Sequence, residues 1–138
     1  METIHITLES TLQSIDKAEA IVMEEASHAG FNEDEQHDIG MAVRECMVNA
    51  VVHGNRYNKN KRIHLDIERT ETGIAVTVGD EGEGFDLSSL PDPTSPENLL
   101  RQSGRGILLI KAFMDEFDLH PRKGGGTEVR LVKNAPDA

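Results

Sequence analysis

The sequence predicts an α+β two-layer sandwich, a mixed and mostly antiparallel sheet with helices on one face. Two observations carry that expectation. Short segments in which apolar and polar residues alternate recur along the chain, separated by longer stretches with the helical repeat. Neighbouring strand segments are also joined by short turns, which favours antiparallel pairing over a parallel sheet with helical crossovers.

Each element follows in order. Ile4, Ile6 and Leu8 alternate with polar residues and mark a first strand. From Ser10 to about Ala29 the period becomes helical, with Leu12, Ile15, Ala18, Ile21, Val22 and Ala26 on one stripe. Gly30 supplies a C-terminal stop. Asn32, with Glu35 three residues on, is a helix start signal, and that helix runs to about His53 before Gly54-Asn55. Ile63, Leu65 and Ile67 form a second strand, and Ile74, Val76 and Val78 a third, across a hairpin turn at Glu71-Thr72-Gly73. From Asp80 to Ser103 the breaks Gly82, Gly84, Pro91, Pro93 and Pro96 exclude regular structure and predict a long loop. Gly106 to about Phe113 is helical again. Phe117 and Leu119 mark a strand, Lys123-Gly124-Gly125-Gly126 a turn, and Thr127 to Val132 a last strand.

Composition narrows the function classes. The chain of 138 residues, 37% hydrophobic and 28% charged, suits one soluble domain spanning residues 1–138 with no internal repeats. Net charge is -11, from 25 acidic against 14 basic side chains, which argues against direct nucleic-acid binding. The one basic cluster, Asn58-Lys59-Asn60-Lys61-Arg62, reads as a solvated turn. The lone Cys46 excludes an internal disulfide and lies on the apolar side of its helix, as a packed thiol would. No apolar run approaches the roughly 18 residues of a membrane span. METIHITLES lacks the regions of a secretion signal, so a cytoplasmic protein is expected.

Three places carry candidate chemistry. Within RECMVNAVVHGN, residues 44–55, the residues Glu45, Asn49 and His53 fall four apart in an otherwise apolar helix. Residues four apart differ by only about 40° in direction, so these line up. A carboxylate buried among apolar side chains is costly, so the line must face water, a partner or a ligand cavity. A surface helix with a narrow polar edge fits this spacing equally well. The second place, Gly79-Asp80-Glu81-Gly82-Glu83-Gly84-Phe85, directly follows a strand, and its glycines let a backbone approach a ligand closely. Asp80 at the strand end could accept from an amine or amide edge, although such loops also serve as plain turns. In the third, Ser103-Gly104-Arg105-Gly106, a glycine pair opens a helix whose N–H groups and arginine suit a phosphate, or simply cap the helix. The spacing GxxxxGK[ST] of a Walker-type phosphate loop is absent.

The order of these motifs is more telling than any one of them. ExxxNAxxHG on a helix, DxGxGF after a strand, GRG at a helix start and GGT entering a last strand resemble the ATP-binding fold of DNA gyrase, Hsp90, sensor histidine kinases and MutL. Within it, ECMVNAVVHGN, DEGEGF, SGRGILLIKAFMDEF and GGGTEVRLV are similar to the anti-sigma-factor serine kinases, from the first strand to Val132. The resemblance implies an ATP- and Mg2+-dependent serine kinase that switches between a sigma factor and an antagonist protein, with a homodimeric state. A nucleotide-gated protein-binding switch with little or no kinase activity is the alternative. By the same resemblance Glu45 matches the general base, Asn49 the Mg2+ ligand, and Asp80 the carboxylate that receives the adenine amino group. Gly82 and Gly84 match the glycines that shape the pocket, Gly104, Arg105 and Gly106 the phosphate-side loop, and Thr127 the threonine that assists adenine recognition. His53 and Gly54 would support the helix end. Residues of about 86–103 match the ATP lid, where few basic residues leave phosphate contacts largely to Arg105.

Overall fold

The computed structural model describes residues 2–82 and 106–135. The expected lid, together with Gly84, Gly104 and Arg105, lies outside the described residues. The elements run β1 (Glu2–Glu9), α1 (Leu12–His28), α2 (Glu33–Val48), a π-helical segment (Asn49–Gly54), β2 (Arg62–Thr70), β3 (Gly73–Gly79), α3 (Gly106–Phe113), β4 (Glu116–Pro121) and β5 (Thr127–Asn134). The strands form one sheet in the order β1-β2-β3-β5-β4, and every described pairing is antiparallel. The expected α+β sandwich is therefore borne out.

Strand alternation decides which face is covered. Leu8, Ile63, Leu65, Ile67, Ile74, Val76, Val78 and Leu131 turn inward and are buried. The opposite face carries His5, Asp66, Thr77, Arg130 and Asp118 in one cross-strand row. Against the inner face pack Ile15, Ala18, Val22 and Ala26 of α1 and Ile39, Ala42, Val43, Cys46 and Met47 of α2. Cys46 is buried, as its place in the pattern requires, and desolvation pushes its thiol up to about 12. Leu12 departs from the expected stripe and is 58% exposed. It occupies the first turn of α1, to one side of the line through Ile15, Val22 and Ala26.

Local signals account for the helix ends. Thr11 caps α1 by accepting from the Ser14 amide at 3.2 Å. Asn32 and Glu35 form a reciprocal capping box at the start of α2, at 2.8 and 3.0 Å. Gly30, at φ +94°, ends α1 in the left-handed region. The largely buried Glu25 pairs with Arg69 at 3.2 Å and ties α1 to β2, because a carboxylate taken out of water needs a partner.

Candidate functional site

The helix bearing Glu45 and Asn49 does not continue as an α-helix to His53. From Asn49 to Gly54 it widens into a π-helical turn, in which the Asn55 amide donates to the Ala50 carbonyl, five residues back, at 2.8 Å. Glu45 and Asn49 thus keep their α-helical offset, while His53 is carried off the line. His53 is exposed and makes no hydrogen bond or ion pair among the described residues. Immediately beyond, Arg56 and Tyr57 have φ of 52° and 60°, consecutive left-handed positions that side-chain-bearing residues seldom occupy. Backbone strain of this kind tends to collect at functional sites.

Asn49 shows the most direct sign of an absent partner. Its Oδ1 is buried and has no hydrogen-bond partner among the described residues. Leaving an amide oxygen in that state costs about 1–3 kcal/mol unless something else binds it. A neutral hard oxygen is a fitting ligand for Mg2+, which takes few protein donors and keeps several waters. The residues present therefore fit such an ion. One helical turn earlier, Glu45 is half-buried and likewise makes no hydrogen bond or ion pair among the described residues.

Asp80 lies at the end of β3 with 7% of its surface exposed. Its backbone continues the pairing with β5, the Asp80 amide donating to the Thr127 carbonyl at 2.9 Å. Its Oδ1 accepts the Gly82 amide at 2.9 Å and the Thr127 amide at 3.2 Å. Oδ2 has no hydrogen bond among the described residues and lies beside Gly54. Burial, opposed by the Gly82 and Thr127 amides, leaves the Asp80 carboxyl above the usual carboxylate range. The neighbouring Glu81 is pushed the other way, chiefly by its hydrogen bond to His64.

The carboxylate is enclosed by backbone that has no room for side chains. A Cβ on Gly54 would stand 2.5 Å from Asp80 Cγ, and one on Gly82 would stand 2.7 Å from the Gly54 carbonyl carbon. Gly126, at φ +96°, presses on the Asp80 peptide in the same way. Asp80, Gly82 and Thr127 thus come together, and Gly54 joins them to the helix that carries Glu45 and Asn49. Gly106 opens α3, leaving its early N–H groups without helical acceptors.

Gly126 and Asn55 are contributors that the sequence reading missed. The buried Asn55 amide donates to Ser10 Oγ and the Arg62 carbonyl, both at 2.9 Å, and accepts the Glu81 amide at 2.8 Å. The only signal for it is its place just after His53-Gly54, and its partners lie up to 45 residues away in sequence.

Residues 8–133 match the family described as the histidine kinase-like ATPase domain. The serine-protein kinase RsbW of Oceanobacillus iheyensis is 31% identical over 105 residues, covering 72% of this chain and 66% of that protein. The anti-sigma F factor of Clostridium perfringens is 32% identical over 104 residues, covering 72% of this chain and 73% of that protein. The solved RsbU and RsbW domains of a Mycobacterium tuberculosis protein share the fold, with a TM-score of 0.68 at 21% identity. That alignment covers 99% of this chain and 34% of the other.

Proposed function

Since the chain belongs to the histidine kinase-like ATPase domain family, we propose that it is an ATP-dependent serine protein kinase and anti-sigma-type partner-switching regulator. Its substrate is a small antagonist protein. The observation that carries this reading is the buried, unpartnered Asn49 Oδ1 one helical turn from Glu45. A polar pair of this kind inside an apolar helix suits phosphoryl transfer, where alignment and charge neutralisation do most of the work.

Asp80 Oδ2 accepts from the 6-amino group of adenine, with Gly82 and Thr127 holding the opposite oxygen in place. Asn49 Oδ1 would hold Mg2+, which would supply charge to offset that of the phosphates. Glu45 takes the proton of the incoming serine hydroxyl as that oxygen bonds to the γ-phosphorus. The bond from the γ-phosphorus to the oxygen shared with the β-phosphate breaks, and ADP leaves. Gly104, Arg105 and Gly106 serve the phosphates, Gly84 belongs to the adenine side, and residues of about 86–103 form the lid. A pure binding switch has no use for a base, so the presence of Glu45 favours the kinase over the nucleotide-gated switch.

The partners are a sigma factor, or an analogous regulator, and its antagonist. The net charge of -11 supports protein targets over direct nucleic-acid contact. No helix among the described residues is long and apolar enough to cross a membrane. We place the protein in the cytoplasm and expect it to act as a homodimer. Incubation with labelled ATP, Mg2+ and candidate antagonist domains tests the proposal, with phosphoserine on one of them as the expected product. Glu45→Ala should cut transfer by roughly 10²–10⁴ while ATP still binds. Stable nucleotide-dependent complexes without any transfer would leave only the switch.

A further inference from the structure

Glu81 follows Asp80 directly, and its surroundings are unusual for a residue in a glycine loop. The antiparallel ladder between β2 and β3 ends at His64 opposite Gly79. Continued in register, the next pair facing the same way would be Arg62 and Glu81. Backbone pairing stops there because the chain turns aside at Asp80 to follow β5, where the Asp80 amide meets the Thr127 carbonyl at 2.9 Å.

The Glu81 side chain takes over the lost pairing. Its Oε1 accepts the Arg62 amide at 3.0 Å, and its Oε2 meets His64 Nε2 at 2.6 Å. The Glu81 amide is held separately, by Asn55 Oδ1 at 2.8 Å. Backbone and carboxylate are thus anchored on different elements, one to the end of the π-helical segment and the other to β2. His64 is itself held, its ring stacked on His5 at a centroid distance of 6.1 Å and 24° between planes. His5 in turn contacts Asp66, on the same strand as His64. Gly79, opposite His64, has no side chain to block the ring, and the Arg122 side chain crosses the same spot.

An exposed ion pair contributes little to stability. The His64 and Glu81 side chains, however, are only 20% and 31% exposed, and the carboxylate is fixed at both oxygens. Such a group restrains position more than it adds energy. The residue it restrains is covalently next to Asp80, whose Oδ2 must be aimed to within a few tenths of an ångström to distinguish donor from acceptor.

We infer that Glu81, braced by His64 and the Arg62 amide, is a positioning residue that aims Asp80 and so sets the preference for a 6-amino over a 6-oxo purine. The inference rests on the ATP pocket proposed above. Calorimetric titration with Mg-ATP and Mg-ITP, which differ at that position, separates aim from general damage. Wild type should bind ATP at least about tenfold more tightly than ITP, the worth of one hydrogen bond well made. In Glu81→Ala the ATP affinity should fall toward that of ITP, bringing the ratio close to one. Glu81→Gln should restore most of the ratio, since its amide oxygen still accepts from Arg62 and its nitrogen can donate to His64. His64→Ala removes one of the two anchors and should give an intermediate ratio, which keeps the test open if Glu81→Ala does not fold. An unchanged ATP to ITP ratio in Glu81→Ala, or in His64→Ala if only that protein folds, overturns the brace and leaves the pocket standing. A wild-type ratio of one overturns the pocket and the brace together.

Discussion

Asp80 spends one oxygen on two backbone amides and keeps the other clear of described partners, so the atoms that hold it in place matter as much as its charge. Gly54 lies against the carboxylate itself. A methyl group there would stand 2.5 Å from Asp80 Cγ, so that the helix end or the carboxylate has to move. Gly54→Ala should therefore weaken ATP binding by about tenfold or more while the protein stays folded, read by calorimetry beside circular dichroism. The places of Asp80, Gly82 and Thr127 were legible because their motif is local: a strand end, a glycine two residues on, and a threonine after a glycine run. Gly54 was visible only as a helix end, and Gly126 only as part of a turn. Their closeness to Asp80 is a long-range contact that spacing does not encode.

Among the elements, the π-helical segment Asn49–Gly54 departs most from expectation. Apolar periodicity predicts a helix there but does not distinguish a bond to the fourth residue back from one to the fifth. That choice is made by what receives the chain next. Here it is Asn55, whose three hydrogen bonds gather the end of β1, the start of β2 and the residue after Asp80. Asn55→Ala leaves the Ser10 hydroxyl, the Arg62 carbonyl and the Glu81 amide short of a partner. At about 1 kcal/mol for each bond it should cost roughly 2–4 kcal/mol in urea unfolding. A loss below about 0.5 kcal/mol, no more than an ordinary surface substitution, would show that the junction is not held in this way. The capping box at Asn32 and the stop at Gly30, by contrast, depend only on neighbours within a turn. They appear where the sequence places them.

For the molecule as a whole, the sandwich was legible because alternation and helical period each bury one face, and the two kinds of face must meet. The antiparallel order β1-β2-β3-β5-β4 was legible in part, since hairpin turns fix β2 beside β3 and β4 beside β5, whereas the β3–β5 pairing is a long-range choice. Cys46, buried beneath the sheet with its thiol pushed up to about 12, reports on the integrity of that core. At pH 8 a thiol reagent should label it only as fast as the protein opens. Mg-ATP at 100 times its Kd should slow the labelling about 100-fold if the nucleotide binds only the folded chain. Labelling that ignores nucleotide would mean that ATP is not bound by the packed state. The claim on which all of this depends is that Asp80 reads adenine, and Asp80→Asn tests it most directly. The amide oxygen can keep both bonds from Gly82 and Thr127, while its nitrogen takes the place of Oδ2 and turns a donor toward the adenine amino group. Calorimetry with Mg-ATP should show binding weakened by at least about tenfold, with the melting temperature little changed. Equal affinity for ATP in the variant and the wild type would contradict the account.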